Sequence, residues 1–86
     1  MNRAQRMQAK LQQEFSPTEL EIIDQSHLHA GHAGSQPEGE THYKVRIRAL
    51  AFQGLMRVNI QRKIMQALQN EFESGLHALS IDARAP

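Results

Sequence analysis

Residues 56–79 read MRVNIQRKIMQALQNEFESGLHAL, and the parsing of this stretch settles the architecture of the rest. Met56, Ile60, Ile64, Leu68 and Phe72 recur at every fourth position with Ala67 beside them, so one face of a helix is apolar. Arg57, Gln61, Arg62, Lys63, Gln66, Gln69 and Glu73 fill the remaining positions. The spacing predicts one long amphipathic helix. Ser74-Gly75 closes it, because glycine accepts the left-handed backbone that ends many helices. Leu76-His77-Ala78-Leu79-Ser80-Ile81 follows at once with strand character. A helix this apolar on one face must lie on something. The natural partner is a small sheet built from the segments on either side of it.

Those segments are legible. Upstream, His42 to Ala49 alternates Tyr43, Val45, Ile47 and Ala49 with His42, Lys44, Arg46 and Arg48, a strand with one apolar and one basic face. Leu50-Ala51-Phe52-Gln53-Gly54 turns it into the helix. Downstream, a strand from about Leu76 to Ala83 places His77, Leu79, Ile81 and Ala83 on one face, and Ala78, Ser80, Asp82 and Arg84 on the other. Near the start, Asn2 caps a helix from about Arg3 to Glu14, with Gln5 reaching back to it. Ser16-Pro17-Thr18 breaks that helix. Leu20 to Ser26, β-branched in its middle, reads as a first strand.

From about His27 to Thr41 the composition shifts to histidine, alanine and glycine. This is a connection long enough to be functional or disordered. The order helix, strand, strand, helix, strand predicts an α+β domain with a three-stranded mixed sheet covered by helices on one face. The first two strands are expected to be antiparallel. The second and third are joined through the helix by a right-handed parallel crossover.

Eighty-six residues make a single domain, 1–86. A chain this size buries only about 60% of its unfolded surface, so its stability is modest. It has no cysteine, hence no disulfide and no thiolate ligand or nucleophile of its own. No apolar run is long enough to span a membrane. The net charge of +1 argues against a strong polyelectrolyte partner. Lys44, Arg46, Arg48, Arg57, Arg62 and Lys63 nonetheless concentrate in mid-sequence and could form a patch; the ordinary alternative is a solvated face. Arg3, Arg6 and Lys10, with no acid among the first thirteen residues, resemble a weak organelle-targeting pattern. The helical spacing of Ala4, Met7, Leu11 and Phe15 favours a structural helix instead, and a cytoplasmic domain that keeps it.

No catalytic constellation stands out, so the chain is read as a non-enzyme. Gly31-His32-Ala33-Gly34 matches the G-x-x-G of a KH nucleic-acid clamp, but it joins two strands rather than two helices. The histidines carry more. A neutral imidazole binds borderline metals and titrates near neutral pH. His27, His29 and His32 lie together in the long connection, and His77 opens the last strand after a glycine turn. Residue chemistry leaves three readings open: solvated histidines, a self-contained zinc site, or an open site completed by a partner.

Four pieces of this sequence together resemble the BolA family. They are Ser26-His27-Leu28-His29-Ala30, Gly39-Glu40-Thr41-His42-Tyr43-Lys44-Val45, Phe52-Gln53-Gly54 and His77-Ala78-Leu79. The resemblance runs over about residues 3–86. It implies a fold related to the type II KH domain. It also implies pairing with a monothiol glutaredoxin and a shared [2Fe–2S] cluster, the glutaredoxin and glutathione supplying thiolates. The chain alone would hold no cofactor and be a monomer or weak homodimer. In that picture His77 matches the histidine of the H-A-L motif. His29, through its spacing from Ser26, is the best match to the loop ligand, with His27 and His32 as rivals. The family also implies a second picture, DNA or RNA binding in transcription, cell shape and stress response, in which Arg46, Arg48, Arg57, Arg62 and Lys63 would touch phosphates. One departure is visible. The family carries Arg-His-Arg early in the long helix, and this chain has Ile60-Gln61-Arg62 there, so Gln61 stands in place of the family histidine.

Overall fold

The computed structural model describes residues 1–26 and 41–86. Helix α1, Arg3–Phe15, is capped as its sequence requires: the Gln5 backbone N–H donates to Asn2 Oδ1 and the Asn2 N–H to Gln5 Oε1, each at 2.9 Å. It ends at Ser16 in the left-handed region, φ 45°, immediately before Pro17. Strand β1, Glu19–Asp24, and strand β2, His42–Arg48, pair antiparallel in a register that sets Leu20 opposite Ile47 and Ile22 opposite Val45. A single 3-10 turn at Leu50–Phe52 and Gly54, at φ +80°, lead into helix α2, Arg57–Ala67. A short helix α3, Gln69–Glu73, continues it. Strand β3, Ala78–Arg84, returns parallel to β2, with Tyr43, Val45 and Ile47 beside Leu79, Ile81 and Ala83. The sheet order is β1-β2-β3, so β2 is central and the mixed α+β architecture expected from the sequence is the one observed.

The core lies on one face of the sheet. Tyr43, Val45 and Ile47 of β2 meet Met7 and Leu11 of α1 and Ile60 and Ile64 of α2, and every one of these is buried. Burying a side chain of this size contributes roughly 1.5–3 kcal/mol. Phe52, 1% exposed, closes one end of the core against Phe15, the ring centroids 5.0 Å apart and tilted by 55°. The opposite face of the sheet carries Glu19 and Glu21 of β1, Lys44, Arg46 and Arg48 of β2, and Ser80, Asp82 and Arg84 of β3.

Two details depart from the sequence pattern. The single long helix is two, because Leu68 leaves helical geometry at φ −101°, ψ 14°. The N–H of Leu68 still reaches Ile64 O and that of Phe72 still reaches Leu68 O, so the break is a bend rather than a gap. No glycine or proline marks it. It delivers the Glu71 carbonyl and carboxylate to Arg3. Met56, expected on the apolar face, is 70% exposed. It is the N-cap, with extended backbone, so it lies outside the helical phase and the buried stripe begins at Ile60.

Candidate functional site

The turn before β3 is fixed from two sides. Leu76 is buried, and its N–H donates to the Glu71 carbonyl at 2.8 Å, closing the end of α3. From the other side the Arg3 guanidinium donates to Glu71 O, Glu71 Oε1, Ser74 Oγ and Ser74 O at 2.8–3.2 Å. Gly75, at φ +131°, lets this happen: a Cβ there would stand 3.0 Å from Arg3 Nη2. Arg6 adds a second guanidinium on Glu71. Its hydrogen bond, assisted by Arg3 and opposed by burial, holds the Glu71 carboxyl below its ordinary value of 4.5.

His77 emerges from this turn at the end of the sheet. Its N–H donates to the Thr41 carbonyl at 2.8 Å, which also accepts from Ala78 at 3.1 Å, and its side chain is exposed. The same sheet end holds both ends of the long connection. Ser26, 6% exposed, accepts at Oγ from the N–H of Thr41 at 2.9 Å and of His42 at 3.1 Å, and Gln25 N–H donates to His42 O at 2.7 Å. Buried His42 joins its Nδ1 to Thr41 Oγ1 at 2.8 Å, and its ring centroid lies 5.2 Å from that of His77.

Thus one expected site residue, His77, stands at the stem of the histidine-bearing connection. His29 and its rivals His27 and His32 lie outside the described residues, as does the G-x-x-G of residues 31–34. Among the described residues no group of three or more His, Asp or Glu could hold a metal ion by itself. His77 can serve as one ligand of a site completed from elsewhere: it is exposed, its backbone is held by hydrogen bonds, and it borders Thr41, where the connection returns. His42 was not singled out from the sequence. The signal was available: in a parallel crossover, strand starts at His42 and near His77 fall at the same end of the sheet.

The five basic residues expected to share a surface divide between two. Arg46 and Arg48 are on the sheet face that α2 does not cover, and both have acidic partners. Arg46 pairs with Glu19 at 3.5 Å. Arg48, 4% exposed, donates to Ile47 O and Asp82 O at 3.0 Å and pairs with the Asp82 carboxylate at 3.2 Å. That hydrogen bond, more than any other contribution, holds Asp82 below the usual carboxylate range. Arg57, Arg62 and Lys63 are exposed on α2. Arg57 borders a groove of about 470 Å³ with Gln61 and Arg84, and Lys63 one of about 430 Å³ with Lys10 and Glu14.

Residues 11–86 match the family model of the BolA-like proteins. The chain is 46% identical to Arabidopsis thaliana Protein BOLA1, chloroplastic, over 99% of its own length and 54% of that protein's. It is 47% identical to Arabidopsis SufE-like protein 1, chloroplastic/mitochondrial, of which it covers 24%, so it spans about half of the first relative and a quarter of the second. The solved BolA domain of Arabidopsis SufE1 superposes over 100% of this chain and 94% of that domain, with a TM-score of 0.90 at 48% identity. The DNA-binding transcriptional regulator BolA of Haemophilus influenzae is 34% identical over 100% of this chain and 80% of its own. The organelles in the two plant names give no counterpart to the cytoplasmic placement expected from the sequence. Among the described residues no helix is long and apolar enough to cross a membrane.

Proposed function

This chain belongs to the BolA family, and from that premise we propose that it is a non-enzymatic adaptor for iron–sulfur trafficking or iron regulation, pairing with a monothiol glutaredoxin and co-ligating a [2Fe–2S] cluster. His77 supplies one ligand and a histidine of the connection the other, His29 ahead of His27 and His32. The observation that carries the reading is the position of His77: an exposed imidazole, its backbone fixed by Thr41, at the stem of a histidine-rich connection in a chain with no cysteine. Thiolates must then come from the partner and glutathione. Imidazole in place of thiolate on one iron raises the reduction potential and makes that ligand protonatable, which suits handover.

The chain's own part is to present and orient. The Arg3–Glu71–Ser74 contacts and Gly75 set the turn that carries His77. Ser26 and Thr41 hold the two ends of the connection together beside it. Anaerobic reconstitution with a monothiol glutaredoxin, glutathione, iron and sulfide tests the reading. The mixed complex should give a visible spectrum distinct from that of glutaredoxin alone and lost in His77→Ala. A spectrum unchanged by that substitution contradicts it.

A second reading, nucleic-acid binding, is favoured by the name of the Haemophilus relative and by the exposed cations of α2. It requires Arg57, Arg62 and Lys63 rather than Arg46 and Arg48, whose charges are matched by Glu19 and Asp82. With only these three cations on phosphates and a net charge of +1, its affinity is low and its salt dependence shallow, a slope of about three.

A further inference from the structure

We infer that His42 is a positioning residue for His77, fixing the direction in which the exposed imidazole is presented at the stem of the connection. The inference rests on the reading of His77 as a ligand and adds to it a residue that reading does not contain.

An exposed histidine following a glycine turn populates several rotamers, and ordering it on binding costs side-chain entropy. His77 is exposed, but its ring is not without a neighbour. The His42 ring lies 5.2 Å away, centroid to centroid, at 53°, within the range of aromatic rings in contact. His42 is itself immobilised. It is 6% exposed, its Nδ1 is joined to Thr41 Oγ1 at 2.8 Å, its N–H donates to Ser26 Oγ at 3.1 Å, and its carbonyl accepts from Gln25 at 2.7 Å. Thr41 holds both residues: its hydroxyl bonds the His42 imidazole while its carbonyl accepts the backbone N–H groups of His77 and Ala78. One dipeptide therefore fixes the backbone of His77 and supplies the surface against which its ring rests. Burial argues that His42 supports rather than ligates, since a group shared with a second protein must be reached from the surface. Partners that orient a metal ligand typically change affinity by about 10-fold to 100-fold when removed.

Two substitutions separate the ring from its hydrogen bond. His42→Asn removes the ring and leaves a polar group near Thr41, whereas His42→Phe keeps a ring and loses that bond. In the metal-free chain, NMR side-chain couplings of His77 should report one dominant χ1 rotamer in the wild type and in His42→Phe, and averaged rotamers in His42→Asn. The β1 and α2 amide shifts serve as the control for folding. In the glutaredoxin complex the visible signal should decay about tenfold faster for His42→Asn and near the wild-type rate for His42→Phe. If His42→Asn does not fold, Thr41→Val carries the test, with partial averaging expected at His77. Averaged couplings already present in the wild type, or a single dominant rotamer kept in a folded His42→Asn or in Thr41→Val standing in for it, overturn the inference. Insensitivity of the cluster signal to His77→Ala would instead overturn the ligand reading, so the two failures are distinguishable.

Discussion

Arg3 Nη1 and Glu71 Oε1 meet at 2.8 Å across 68 residues of chain, and both side chains are nearly buried, 9% and 13% exposed. This pair ties the start of α1 to the turn that carries His77. Glu71→Gln removes the charge that faces two guanidinium groups and leaves the Arg3 guanidinium poorly compensated. It should lower stability by about 2 kcal/mol, read as a lower denaturant midpoint with an unchanged slope.

The same carboxyl makes stability pH-dependent. Its folded pKa lies below the ordinary 4.5, first through the Arg6 hydrogen bond. Its contribution is therefore complete above pH 4.5 and is lost as the pH falls through the lower folded value. The gap in stability between wild type and Glu71→Gln should be constant near neutrality and close below pH 4.5. A gap that persists at acid pH would place the effect elsewhere.

Gly75 sits where a side chain is strained by its φ of +131° and blocked by Arg3 Nη2 at 3.0 Å. Gly75→Ala should destabilise by about 1–3 kcal/mol and perturb the NMR signals of His77, two residues on.

The register of α2 is testable by contrast. Ile64→Ala should cost about 2–5 kcal/mol, because the side chain is fully buried. Met56→Ala should change stability by less than about 0.5 kcal/mol, because the side chain is 70% exposed. Equal costs would mean that the helix begins a turn earlier than described.

The four-residue spacing from Ile60 to Phe72 and the alternation of Tyr43, Val45 and Ile47 carried the architecture, since hydrophobic period and sheet pairing are local and repetitive signals. Asn2-Gln5 carried the start of α1 for the same reason. What the sequence hid was tertiary. Nothing local marks Leu68 as a bend or Arg3 as the partner of Glu71. The basic face of β2 looked free until β1 and β3 brought Glu19 and Asp82 beside it. His77 was legible through its glycine turn and its H-A-L setting. His42 was overlooked, although the parallel crossover read from the sequence already places its strand start beside that of His77.

Visible circular dichroism of the anaerobically reconstituted mixture tests whether His77 ligates a cluster shared with a monothiol glutaredoxin. Wild type and His29→Ala, His77→Ala and His42→Phe variants are compared with glutaredoxin alone. The wild-type spectrum should be unlike that of glutaredoxin, abolished by His77→Ala, weakened by His29→Ala and kept by His42→Phe. A wild-type mixture indistinguishable from glutaredoxin alone, or a distinct spectrum that survives His77→Ala, would contradict it.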